Sequence, residues 1–180
     1  FAIIVGTQHQ HSAGVLALQG AFREHKQMLE RCGAKVCEVR KTEELEGLDG
    51  LVLPGGESTT IGKLMVKFGL LEKIQERYAE GMAIYGTCAG MILLCRDIIG
   101  SDQPRLGLFG ARVRRNAFGR QRESFEADLF VPEMEAGEKP IRAVFIRAPY
   151  LEQVGRDVQV LAEVNGKAVI ARQGKMLVTS

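Results

Sequence analysis

The chain has no apolar run long enough to cross a bilayer, and its charges nearly cancel. Its 24 Lys and Arg stand against 22 Asp and Glu, a formal net charge of +2 over 180 residues. A spanning helix needs about 20 consecutive apolar residues, and bulk attraction to nucleic acid or an anionic membrane needs a basic excess. Membrane residence and nucleic-acid binding are therefore not expected. Histidine is scarce: the three are His9, His11 and His25, so none lies beyond Cys88. His9 and His11 sit in a polar stretch with no third ligand nearby, and no metal site is expected there. The four cysteines, Cys32, Cys37, Cys88 and Cys95, show no paired-ligand spacing. A chain this long buries a full core without disulfide staples, so they read as reduced thiols in a cytoplasmic protein. Internal repeats, low-complexity tracts and linkers are missing too, which leaves one domain. Phe1–Val5 is too short for a signal-peptide core and lacks a basic segment before it. Residues 1–12 do not connect smoothly to the apolar run that begins at Gly14. They are set aside as a leader, an expression remnant or a misassigned start, with the domain spanning 13–180.

What is present centres on Gly86-Thr87-Cys88-Ala89-Gly90, between the apolar runs Met82-Ala83-Ile84-Tyr85 and Met91-Ile92-Leu93-Leu94-Cys95. The pattern predicts strand, tight turn and helix, with a thiol on the turn: a G-x-C-x-G nucleophile elbow. Side chains at either glycine would collide with the neighbouring strand and helix. A helix N-terminus behind the sulfur would favour thiolate over thiol. The bland alternative is a small buried hydrophobe.

The rest of the first half alternates strand and helix. Strands are expected at Gly14–Leu18, Lys35–Val39, Gly50–Leu53 and Met82–Tyr85. Helices are expected from Phe22 to Cys32 with Gly33 as C-cap, around Ile61–Phe68 with Ser58 or Thr59 as N-cap, and over Leu71–Ala79. Thr42–Leu45 reads as one helical turn. After Asp97 come short strand-like runs: Ala111–Arg115, Ser124–Phe130, Ala143–Arg147, Val158–Val164, Ala168–Arg172 and Met176–Thr179, with a polar loop over Glu133–Pro140. The fold class is α/β: three layers, a mostly parallel central sheet with flanking helices, and an added antiparallel β-ribbon or meander.

In such sheets sites form beyond the carboxyl ends of the strands. Leu18-Gln19-Gly20, Leu53-Pro54-Gly55-Gly56-Glu57-Ser58 and Tyr85-Gly86-Thr87-Cys88 should converge there. The second is a glycine-rich turn able to offer N–H groups to an anion or oxyanion. It is not a phosphate loop: five residues separate Gly56 from Gly62, and Leu64 stands where a Ser or Thr would hold Mg²⁺. Arg114, Arg115, Arg120 and Arg122 surround Asn116-Ala117-Phe118-Gly119, and Arg147 ends a strand. These arginines read either as a solvated face, paired with Glu123 and Glu126, or as a carboxylate clamp. A cysteine hydrolase also needs a base. His25 reads as packed or exposed, not catalytic, so the residues alone give an activated cysteine without its base.

Leu16-Ala17-Leu18-Gln19-Gly20-Ala21-Phe22-Arg23-Glu24-His25, Leu53-Pro54-Gly55-Gly56-Glu57-Ser58-Thr59-Thr60, the elbow, Arg115-Asn116-Ala117-Phe118-Gly119-Arg120-Gln121 with Ser124-Phe125-Glu126, and Val144-Phe145-Ile146-Arg147-Ala148-Pro149 together resemble a known family. It is that of the glutaminase subunits of pyridoxal 5′-phosphate synthase, triad-type (class I) glutamine amidotransferases. The likeness runs from about Gly14 to Ser180. It implies that Cys88 attacks the side-chain amide of L-glutamine and that backbone N–H groups at Gly56 and Ala89 form the oxyanion hole. Gly55, Gly56, Glu57, Arg115, Ile146 and Arg147 match the glutamine-binding positions. The ammonia would pass to a (β/α)₈ synthase subunit, docking to which switches glutaminase activity on. Pyridoxal phosphate is then a product, and no cofactor is implied. The family carries its base and orienting carboxylate in a His-Pro-Glu run just after a strand. Met176–Thr179 looks like that strand and the sequence stops at Ser180, so the resemblance implies a C-terminally truncated chain with impaired turnover. A non-catalytic binding or regulatory module, or another cysteine hydrolase of the same superfold, stands as the alternative.

Overall fold

The computed structural model describes residues 10–116, 124–133 and 139–180. Strands β1 (Ser12–Leu16), β2 (Lys35–Val39), β3 (Gly50–Leu53) and β4 (Ala83–Thr87) alternate with helices α1 (Phe22–Arg31), α2 (Ser58–Lys67) and α3 (Leu70–Ala79). Thr42–Leu45 is a 3₁₀ turn. The short helix α4 (Ala89–Leu94) follows Cys88, and β5 (Cys95–Ile98), β6 (Phe109–Arg114), β7 (Phe125–Leu129), β8 (Ile141–Phe145), β9 (Tyr150–Val154), β10 (Gln159–Val164), β11 (Lys167–Gln173) and β12 (Met176–Thr179) complete the chain.

The main sheet runs β2-β1-β3-β4-β12-β11-β9-β6-β5, with β10 paired to β11, and β7-β8 forms a separate two-stranded sheet. Pairing is parallel from β2 through β12 and antiparallel from β12 through β6. β5 then returns to parallel pairing with β6. The expected fold class holds.

Period-two alternation builds the layers. Leu51 and Leu53 point into a cluster with Ile61, Met65, Ile74, Met91 and Leu93 from α2, α3 and α4. Val52, between them, joins Ala13, Val15 and Leu29 under α1. Met176 and Val178 likewise face the α2–α4 side, whereas Leu177 meets Leu129 and Phe145 of the ribbon. One face of the sheet thus carries α1 and the ribbon, and the other carries α2, α3 and α4.

Three elements differ from expectation. β1 begins at Ser12, and the Lys35 N–H donates to the carbonyl oxygen of His11 at 2.9 Å, so the end of the stretch set aside belongs to the sheet. β9 is not among the expected strands, because its charged and polar residues hide the alternation. The helix after Cys88 is only six residues long, because Cys95 leaves it at once for β5. Most of the expected Glu133–Pro140 loop lies outside the described residues.

Candidate active site

Cys88 sits between β4 and α4 with φ 50° and ψ −104°. A non-glycine residue at positive φ away from the left-handed helical well is strained, and such strain gathers at functional sites. The flanking glycines are obligatory for the reason read from the sequence. A Cβ at Gly86 would stand 2.6 Å from the Gly90 carbonyl oxygen, and one at Gly90 would stand 2.1 Å from that of Leu53. The turn therefore exists only because β4, α4 and β3 touch main chain to main chain. The thiol is half-buried.

The predicted strand ends converge. The Gly55 carbonyl accepts the Ala21 N–H at 2.9 Å, and a Cβ on Gly55 would lie in ordinary contact, 3.6 Å, with Cβ of Cys88. Gln19 reaches across from the end of β1, and its Oε1 accepts the Glu57 N–H at 2.8 Å. Glu57, not Ser58 or Thr59, caps α2. Its carboxylate accepts the N–H groups of Thr59 and Thr60 and the Thr60 hydroxyl. Those bonds, the Thr60 hydroxyl foremost, hold its pKa down at about 2. Both Glu57 oxygens are thus engaged within the fold. Gly62, inside α2, is there for packing: a Cβ would meet the Pro104 carbonyl oxygen at 2.5 Å.

The end of β12 lies against the elbow. The Cys88 N–H donates to the Thr179 carbonyl at 2.9 Å, and the Ser180 hydroxyl donates to the Pro149 carbonyl at 2.6 Å. That bond ties the Ile146-Arg147-Ala148-Pro149 run to the neighbourhood. Ile146 is exposed, as is Arg147, which is held at φ 49°. Arg115 follows β6 and is half-buried. Its Nη1 donates to Oε1 of Gln103 at 2.7 Å, and the same oxygen accepts the Thr59 hydroxyl at 3.1 Å. Gln103, buried in the coil between β5 and β6, carries no motif, and nothing in the sequence singles it out.

Several expectations need correction. The thiol of Cys88 is not lowered by a helix N-terminus. Burial pushes it up, and the Ala89 N–H only partly opposes this. A six-residue helix adds little dipole, while burial penalises the charged thiolate. Arg114 pairs with Glu152 at 2.8 Å, and Glu126 pairs with Arg142 at 2.9 Å. Arg120, Arg122 and Glu123 lie outside the described residues, as does His9. His25 packs edge-on to Tyr85, ring centroids 6.2 Å apart, and burial lowers its pKa. Among the described residues no group of three or more His, Cys, Asp or Glu side chains is placed to hold a metal, and no helix is long and apolar enough to cross a membrane.

The model of the SNO glutamine amidotransferase family matches residues 15–180. The chain belongs to that family. A pyridoxal 5′-phosphate synthase subunit PdxT of Moorella thermoacetica is 59% identical over 167 residues, covering 93% of this chain and 88% of the relative. Its counterpart in Pelotomaculum thermopropionicum is 60% identical over 164 residues, covering 91% and 83%. A crystal structure of a glutamine amidotransferase superposes with a TM-score of 0.86 at 52% identity, covering 93% of this chain and 87% of that one. The PurLQS structure from Thermotoga maritima shares the fold at 19% identity, with a TM-score of 0.67 over 94% of this chain and 85% of that one.

Proposed function

We propose that this amidotransferase hydrolyses L-glutamine through Cys88 and delivers the ammonia to the (β/α)₈ subunit of a pyridoxal 5′-phosphate synthase in the cytoplasm. The observation that carries this reading is the strained Cys88 at the end of β4, standing against Gly55 of the glycine-rich turn. The sulfur attacks the carboxamide carbon. The C–S bond forms as the carbonyl π pair moves to oxygen, and the N–H groups of Gly56 and Ala89 receive that oxyanion. Collapse breaks the C–N bond, ammonia leaves with the thiol proton, and water cleaves the thioester to glutamate and free thiol.

The base that the resemblance places after a strand would emerge beside the sulfur, because β12 ends with the Thr179 carbonyl on the Cys88 N–H. Gly55, Gly56 and Glu57 form the wall of the glutamine pocket. Glu57 acts by fixing that turn, since its carboxylate is already bound to α2. Arg115 and Arg147 receive the substrate's carboxylate by charge-assisted bonds, and Ile146 covers its aliphatic stem.

The test is labelling by a glutamine-analogue electrophile, followed by peptide mapping, with and without the synthase subunit. Modification of Cys88 that L-glutamine competes away supports the reading. Labelling elsewhere, or none in the presence of the synthase subunit, sinks it. Modification by peptidyl electrophiles instead would favour a peptidase-like hydrolase of the same superfold.

A further inference from the structure

Gln103 lies in the extended segment between β5 and β6 and is 7% exposed. The segment is pinned on several sides. The Leu106 N–H donates to the Leu93 carbonyl at 2.7 Å, Gln75 Nε2 donates to the Leu106 carbonyl at 2.8 Å, and the Pro104 carbonyl presses on Gly62. From this fixed base the Gln103 side chain reaches two parts of the proposed site at once. Its Oε1 accepts Arg115 Nη1 at 2.7 Å, the Thr59 hydroxyl at 3.1 Å and, at the outer limit of 3.5 Å, the Ser58 hydroxyl. Ser58 and Thr59 open α2 directly after the Gly55-Gly56-Glu57 turn.

The amide's orientation is not free. A guanidinium is a donor only, so the oxygen must face Arg115. That leaves Nε2 buried with no partner among the described residues. Turning the amide over would let Nε2 donate to the Ser58 and Thr59 hydroxyls but would set it donor-to-donor against the Arg115 guanidinium, the shortest of the three contacts. An unpaired buried amide is unfavourable, so packing stability does not explain a glutamine here.

We infer that Gln103 is a positioning residue. It holds the Arg115 guanidinium against the N-terminus of α2, and so sets the distance between the carboxylate-binding arginine and the oxyanion turn. This rests on the glutamine reading given above. One hydrogen-bonded oxygen fixes both ends of the substrate pocket, so the separation of the substrate's carboxylate from its carboxamide is measured there. A substrate one methylene shorter, such as asparagine, would be rejected by that spacing.

The experiment is a double-mutant cycle on the full chain in the presence of the synthase subunit, read by calorimetric titration with L-glutamine, with thermal midpoints taken on the chain itself. Gln103→Met keeps the side chain's length and removes both the acceptor and the unpaired amide. Gln103→Leu is the companion should Met repack. The expected result is glutamine affinity lowered about 10-fold by either variant, an unchanged or raised thermal midpoint, and a less than about twofold further loss when the same change is made in Arg115→Ala. Unchanged affinity in Gln103→Met and Gln103→Leu, with Arg115→Ala still weakened, overturns the positioning role and leaves the glutamine reading intact. Additive losses overturn it as well, because Gln103 would then act other than through Arg115. If the unmutated chain binds no glutamine, the glutamine reading fails and the inference falls with it.

Discussion

The two ends of the proposed pocket are built by different physics. On the parallel side, from β1 through β12, the site is made by main chain pressed on main chain: Gly90 against Leu53, Gly86 against Gly90, Gly20 against Gly55. Nothing there can move without moving a strand. On the side fed by β6 and β8, the candidate residues stand on side-chain bonds and exposed turns: Arg115 leans on Gln103, and Arg147 protrudes at positive φ. In the proposed reading the bond-making falls to the rigid side and the grip on the substrate's carboxylate to the adjustable one. A half-ångström error costs more at a forming C–S bond than at a carboxylate clamp.

The largest effect should come from the rigid side. In the assembly with the synthase subunit, Cys88→Ala should cut ammonia release by on the order of 10⁴-fold or more. Its thermal midpoint should stay near that of the parent, since only one sulfur is removed. Near-normal release would end the nucleophile assignment. Alkylation of Cys88 by iodoacetamide should keep rising with pH beyond the ordinary thiol range, because burial favours the protonated form. A plateau near neutrality would instead reveal an activated thiolate.

Next, Gly90→Ala should destabilise by about 3 kcal/mol or more, because its methyl would overlap the Leu53 carbonyl oxygen and a backbone cannot step aside. Gly110→Ala, on the other side, should change stability by less than about 1 kcal/mol, since only the far end of Gln173 stands near, at 3.2 Å, and a side-chain tip can swing away. Equal losses in urea denaturation would erase the contrast between the two sides. Arg115→Ala and Arg147→Ala should each weaken glutamine binding by about 2 kcal/mol, one charge-assisted contact, with thermal midpoints nearly unchanged. Unaltered affinity in both would remove the clamp.

How far each side was readable reflects the same contrast. Glycine at fixed spacing around a cysteine marks a backbone crowded on both sides, and that spacing is local in sequence even where the atom it avoids, such as the Leu53 carbonyl oxygen beside Gly90, is not. The elbow, the Gly55-Gly56 turn and their convergence were therefore legible from residues alone. Gln103 was not, because its partners Thr59 and Arg115 lie 44 and 12 residues away and a buried amide leaves no periodic trace. The thiol's direction was misread for a related reason. The helix behind Cys88 is visible in sequence, but its six-residue length and the burial of the sulfur emerge only when the chain is folded. Glu57 shows the middle case: an acid before a helix is a readable N-cap, yet the neighbouring Ser58 and Thr59 drew the assignment to themselves.

Glu57 also gives the smallest and most specific test. Its carboxyl titrates near 2 in the fold and near the ordinary glutamate value when unfolded. The folded state therefore binds this proton more weakly than the unfolded chain does. The stabilisation is fully present above about pH 4.5 and drains away as pH falls toward 2. Solvent screens this exposed carboxylate, so the expected loss in Glu57→Ala is that of a helix cap, about 1 kcal/mol, a shift in thermal midpoint of about 2–4 °C at neutral pH. The gap between parent and variant should narrow progressively below pH 4.5. Because the cap also orients the turn that walls the proposed pocket, Glu57→Ala should weaken glutamine binding at neutral pH, and that deficit should shrink over the same interval below pH 4.5 in which the stability gap closes. A midpoint gap that persists unchanged to pH 2 would mean that the carboxylate does not hold the turn, and the rigid side of the pocket would then rest on its glycines alone.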